Sequence, residues 1–237
     1  MKKNLYAIWL GVCFVLLGML LLYPTGIGIA AEASDQLLTS SYFLPSTDKT
    51  FVYAAYDNNT YNYTFAAKWQ RDDRAVYQED LTYSDQSTSY TRYAEADSAV
   101  VELASGFAIP QSEYSNETIT SGSKVVCRVA TPGTTWDNQY QSKDTYGSVY
   151  AYNSRYKYWG LETINVMGKS IQAAKITWYQ QCQVIKEAPE AEWMNLANTA
   201  TGTHWYAEGY GLVKSESKSW HRPNDIYKST IVLAKVQ

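Results

Sequence analysis

Between Thr60 and Trp69 the chain alternates with a period of two: Tyr61, Tyr63, Phe65, Ala67 and Trp69 stand against Thr60, Asn62, Thr64, Ala66 and Lys68. Successive side chains of a strand point to opposite faces, so this stretch presents one apolar and one wet face only if it is extended. Phe51 to Tyr56 is a second extended run, and Asp57-Asn58-Asn59 between them tolerates left-handed backbone, which predicts a hairpin. Strand patterns continue at Ala75 to Tyr83, Ser87 to Glu95, Ala99 to Leu103, Lys124 to Ala130, Tyr146 to Asn153, Arg155 to Val166, Ile171 to Ile185, His204 to Ala207, Leu212 to Ser217 and Ile226 to Val236. Ser121-Gly122-Ser123, Pro132-Gly133 and Gly168-Lys169 supply turns between them. The 22 tyrosines, set among abundant Thr and Ser, are the composition of strands partly exposed to water. One helix is expected, Ala188 to Asn198, with Pro189 in its first turn and Glu190 and Glu192 near its positive end. Many short strands and few helices imply an antiparallel sandwich, barrel or strongly curved sheet.

The N-terminus reads differently. Lys2 and Lys3 precede an apolar run from Leu5 to Leu22 that closes at Tyr23-Pro24, the form of an export segment. Ala31-Glu32-Ala33 offers a small-x-small cleavage site, and the run also approaches the ~20 residues that span a bilayer. Residues 1–33 are thus a signal peptide or an uncleaved membrane anchor, and on either reading residues 34–237 form a β-rich extracytoplasmic domain. Cys13 lies inside the apolar run after Leu10-Gly11-Val12, a poor fit to a lipidation box. With Lys2, Lys3 and Glu32 set aside, 18 basic and 22 acidic residues remain, a net charge of about −4. Weak acidity argues against a nucleic-acid partner.

Two cysteines remain beyond the leader. Strand parity puts Cys127 with Val125 and Val129, and Cys182 with Ile176, Trp178 and Val184, on inward faces. In an oxidising compartment they could form a disulfide contributing roughly 4 kcal/mol, or remain two buried thiols.

The segment Gly202-Thr-His-Trp-Tyr-Ala-Glu-Gly-Tyr-Gly-Leu-Val-Lys-Ser-Glu216 resembles the late hairpin of exported bacterial proteins of the LolA lipoprotein-carrier type. Tyr42-Phe43-Leu44-Pro45 with Thr50-Phe51-Val52-Tyr53, Pro132-Gly133-Thr134-Thr135-Trp136, and Ile164 to Ala174 are similar to further steps of that group. The resemblance implies a mainly β fold built on a single antiparallel, strongly curved sheet, a LolA-like half-barrel, with one short helix and an N-terminal apolar helix before it. It also implies helical cover over the open side and a concave face that holds lipid or acyl chains. Gly209 and Gly211 read as a structural turn or bulge in the late hairpin.

Catalytic signatures are sparse. The histidines, His204 and His221, have no partner at metal spacing, and there is no nucleophile elbow or phosphate-binding glycine loop. His204 beside Trp205 reads as a packed or edge residue, and His221 as a solvent-facing one. Asp57-Asn58-Asn59 opens like a calcium loop but places Asn62 and Lys68 where glycine and glutamate are required. No catalytic residue, metal site or cofactor is expected. Sequons at Asn58, Asn62 and Asn116 matter only in a glycosylating host.

Candidate ligand-binding residues are the aromatic cluster Tyr146, Tyr150, Tyr152, Tyr156, Tyr158 and Trp159, together with Trp205. Their flat faces suit lipid, acyl chains or wall glycan, and they serve equally as core. Three functions follow in order of fit: an extracytoplasmic binding or carrier module for an apolar or envelope-derived ligand, a structural or adhesive surface protein, and a hydrolase of envelope sugars using a carboxylate pair. The sequence leaves the oligomeric state open.

Overall fold

In the computed structural model the described residues are 37–58, 60–73, 75–108, 110, 115–187, 198–222 and 225–237. Apart from a single helical turn, α1 (Ser40–Phe43), the elements are strands: β1 (Thr50–Asp57), β2 (Thr60–Arg71), β3 (Val76–Tyr83), β4 (Thr88–Ala96), β5 (Ala99–Ala108), β6 (Ser115–Gly122), β7 (Lys124–Arg128), β8 (Thr135–Asp144), β9 (Val149–Val166), β10 (Lys169–Lys186), β11 (Asn198–Ala207), β12 (Gly211–Arg222) and β13 (Asp225–Val236). The expected β1–β2 hairpin forms, with Asn58 at φ 49° in its turn. The two patterns on either side of Ser154 are one strand, β9, which pairs with β10 across a tight turn where Met167 and Gly168 have φ of 54° and 71°.

The half-barrel expected from the resemblance is corrected by the strand order. Strands adjacent in sequence pair antiparallel from β1 to β6 and from β8 to β13, β6 also pairs with β8, and β13 returns to pair with β1, so the sheet has no free long side. The junction is zipped at its end by Thr50 and Gln237, whose N–H groups donate to each other's carbonyls at 3.0 and 2.9 Å. β6 and β7 share the same edge of β5, the first on Ala104–Phe107 and the second on Ala99–Glu102. They form one broken stave, so thirteen strands make a closed up-and-down barrel of twelve staves. Gly122, expected in a turn, instead sits at φ 72° in that break, where β6 has moved onto β8.

Twelve staves enclose more space than the eight that side chains alone can fill. At one end the space is taken by a strap, residues 37–49, that includes α1. Leu38 exchanges backbone hydrogen bonds with Ala130. The Phe43 ring then sits against Trp69, Tyr93 and Tyr206 with centroids 6.2, 5.2 and 5.2 Å away, on β2, β4 and β11. It bridges opposite walls and anchors the core that also holds Phe51, Tyr53, Tyr158 and Leu233. Along β8 the outward side is polar: Thr135, Asp137, Gln139, Gln141 and Lys143 are exposed while Trp136, Asn138, Tyr140 and Ser142 are buried.

Two other expectations change. Val129 is exposed although Cys127 is buried, because the strand ends at Arg128. Residues 188–197 of the expected helix and the whole N-terminal apolar segment lie outside the described residues, and Asn198 begins β11.

Gly209 and Gly211 are the strap's latch. Both have positive φ, 73° and 68°. The Gly209 N–H donates to Ser41 and its carbonyl accepts from Ser46. A Cβ on Gly209 would meet nothing, but one on Gly211 would lie 3.1 Å from Pro45 Cδ and 3.2 Å from the Phe43 carbonyl oxygen. Gly209→Ala should therefore cost roughly 1 kcal/mol, the backbone term alone, and Gly211→Ala measurably more because the strap must also shift. Denaturant titration of both variants checks this, and equal losses would contradict the latch.

Candidate functional site: the barrel lumen

Inward positions of β8 and β9 pair directly across the ladder, which stacks their rings. Trp136 lies on Tyr156 at 5.4 Å and Tyr140 on Tyr152 at 4.7 Å, both nearly parallel. Trp136 Nε1 and Asn138 Nδ2 both donate to the Val125 carbonyl, at 3.1 and 3.0 Å, tying this wall to β7. Two cavities of about 230 Å³ each open beside these rings. Both are lined by Glu102, Lys124 and Gln180. Toward the strap the lining adds Phe43, Tyr156, Trp178, His204 and Tyr206. Away from it, Glu117, Tyr140 and Tyr152 take their place.

The shared floor is an ion pair, Lys124 Nζ to Glu102 Oε2 at 2.6 Å. Burial pulls the Lys124 pKa down, Glu102 pushes it up, and the net direction is upward, so the ammonium stays charged. Glu117 accepts hydroxyl hydrogen bonds from Ser142 and, at 3.0 Å, from Tyr152.

His204 is locked as a neutral ring. Trp178 Nε1–H donates to its Nε2 at 2.8 Å, which leaves the proton on Nδ1 facing the Tyr206 hydroxyl at 2.9 Å. Burial, helped by the Lys124 charge, pushes its pKa down to about 4. The indole can lie there because residue 202 is glycine: a Cβ at that position would be 2.9 Å from the Trp178 ring.

Of the residues singled out by sequence, Tyr150, Tyr152, Tyr156 and Tyr158 are turned inward, but only Tyr152 and Tyr156 line the cavities. Tyr150 donates to Asp144 at 2.9 Å, and Tyr158 is wholly buried, its backbone bonded to Thr134 and Gly133 beside the strap. Tyr146 precedes the strand and is exposed, so it does not share the face of Tyr150 and Tyr152. Trp159 is also exposed, donating to Thr177 with Lys157 Nζ 3.5 Å over its ring. Trp205 faces away from His204, bonded to Glu162 and covered by Lys175 and Lys214. Cys127 and Cys182 are free thiols: the first aims its sulfur at the Thr39 carbonyl 3.7 Å away, and the second lies among Tyr152 and Glu117. Of the two alternatives that the sequence leaves open, a disulfide or two thiols, the structure has the thiols. Sequence reasoning missed Glu79, Glu102, Glu117, Lys124, Tyr140 and Gln180. For Tyr140 and Glu117 the available signal was the alternation in 135–144 and 115–122, disguised because polar residues occupy both faces.

No family model matches this chain, and no curated protein matches it either. Among solved structures it is similar to a candidate lipoprotein from Parabacteroides distasonis, at 11% identity and TM-score 0.45, over 83% of this chain and 98% of that one. It is also similar to a candidate exported protein with a YmcC-like fold from Bacteroides fragilis, at 11% identity and TM-score 0.46, over 85% and 99%. The hypothetical lipoprotein YmcC from Escherichia coli gives 11% identity and TM-score 0.37, over 79% and 83%. No residue role passes from any of them to this chain.

Burial pushes the Glu79 pKa up to about 7, against a weaker stabilisation of its charge by the Tyr93 hydroxyl at 3.5 Å. A raised carboxyl pKa contributes stability below the unfolded value, 4.5, and that stability is lost as pH rises through 7. Glu79→Gln should therefore melt like the parent at pH 4.5 and higher than the parent at pH 8, by a few degrees in a scan at the two pH values. A difference that does not change with pH would contradict this assignment.

Proposed function

We propose that this chain is an extracytoplasmic, non-catalytic binding protein whose barrel lumen holds a small polar ligand derived from the cell envelope. The observation that carries the reading is the pair of adjoining cavities inside a closed wall, floored by an ion pair and Gln180 and flanked by tyrosine and tryptophan rings. Ligand pockets combine such apolar and aromatic walls with a few convergent polar groups. An acyl chain is a poorer match than a wall glycan or its fragment, because covering Glu102, Lys124 and Gln180 with hydrocarbon would bury them without replacing their water contacts. The leader supplies the compartment, and an uncleaved leader would also supply the membrane partner. Nucleic acid is set aside on the acidic balance.

A second reading draws on the outer wall. Trp159 and Tyr179 are exposed, about half and two-fifths of their surface, on the adjacent strands β9 and β10, and such a patch suits attachment to a polymer or another protein.

Native mass spectrometry of residues 34–237 purified from the source organism separates the two. The lumen reading predicts a stoichiometric polar adduct that is lost on Tyr152→Ala and kept on Trp159→Ala. Clean apo-protein, or an adduct lost on Trp159→Ala alone, would overturn it.

A further inference from the structure

Resting on the lumen reading, we propose that the ligand carries an ammonium group, held between Glu117 and the stacked rings of Tyr140 and Tyr152. The argument begins with interior charge. Among the described residues at the cavities, Glu102 and Glu117 are the carboxylates and Lys124 is the cation, and Glu79 lies close enough to Glu102 for their charges to interact. Lys124 is consumed by Glu102 at 2.6 Å. What meets Glu117 is two neutral hydroxyls, from Ser142 and Tyr152, and among the described residues no ion pair reaches it. An anionic ligand would thus add to an interior that already has more carboxylates than cations. A cationic one would complete it.

The rings make the same choice. Tyr140 and Tyr152 line the cavity that Glu117 lines, 4.7 Å apart and 8° from parallel, and their faces are the electron-rich side of the π-system. One ammonium already uses this wall: Lys124 Nζ stands 6.0 Å from the Tyr140 centroid. Gln180, which accepts from the Tyr140 hydroxyl at 3.5 Å, adds a neutral polar group from β10, the strand beyond β9 in the same wall. A cavity of about 230 Å³ limits the occupant to a small amine, an amino sugar or the charged end of a longer amine.

The test titrates the full chain in detergent micelles by calorimetry with four probes: choline, its neutral isostere 3,3-dimethylbutan-1-ol, glucosamine and glucose. At least one cation is expected to bind ten-fold or more tightly than its neutral counterpart. Glu117→Gln should remove that preference with an unchanged melting temperature, and Trp159→Ala should leave it intact. Should Glu117→Gln fail to fold, Tyr140→Leu takes its place with the same expected loss. Neutral probes that bind as well as the cations would overturn the ammonium assignment and leave the lumen reading standing. Binding of none of the four would overturn both.

Discussion

The antiparallel pairing of β1 with β13 is the contact on which the rest of the structure depends. It joins the two ends of a thirteen-strand meander, from Phe51 with Val236 to Asp57 with Ser229. Without it the sheet would have two long unpaired edges, each a template for further pairing, and its inner face would be a trough open to water. With it the inner face becomes a lumen, and twelve staves make that lumen too wide for side chains to fill. The strap, the stacked rings and the interior ion pair all answer that one geometric consequence. Phe43 fills the space at one end by touching walls on β2, β4 and β11.

A lumen that is not filled by hydrocarbon can keep polar groups if they are partnered. Glu102 has Lys124, His204 has Trp178 and Tyr206, and Glu117 has Ser142 and Tyr152. The tyrosine content of the chain follows from the same setting. A ring buries its apolar body against the wall and extends a hydroxyl toward the next polar group, as Tyr140 does to Gln180 and Tyr150 to Asp144. Glu79 and His204 are the exceptions in charge: burial drives both toward their neutral forms, the carboxyl upward and the imidazole downward. Between about pH 4.5 and 6.5 their effects on stability oppose each other, because the first loses stability as pH rises and the second gains it.

Much of this was legible in the chain where the buried side is apolar. The period of two from Thr60 to Trp69 and the turn at Gly168 belong to strands with hydrophobic inward residues, and both are where the pattern places them. The pattern is silent for β6 and β8, because Asn138 and Ser142 point into a polar interior and erase the contrast between faces. Closure was not legible at all. It is a contact between residues about 180 positions apart, and nothing in the local sequence of Phe51–Asp57 or Ile226–Val236 distinguishes an edge strand from a paired one. The aromatic cluster misled because closeness along the chain is not a shared face: Tyr158 and Trp159, neighbours in one strand, point to opposite sides, the first buried and the second exposed. The charged groups of the lumen come from β3, β5, β6 and β7, four strands that no motif connects.

Amide hydrogen exchange tests closure most directly. In a closed barrel the amides of β1 that bond to β13, and those of β4 that bond to β5, exchange as slowly as the amides of the central β9–β10 pair. Exchange of those β1 and β4 amides at the rate of unstructured chain, with β9 and β10 still protected, would mean an open sheet and would contradict an enclosed lumen.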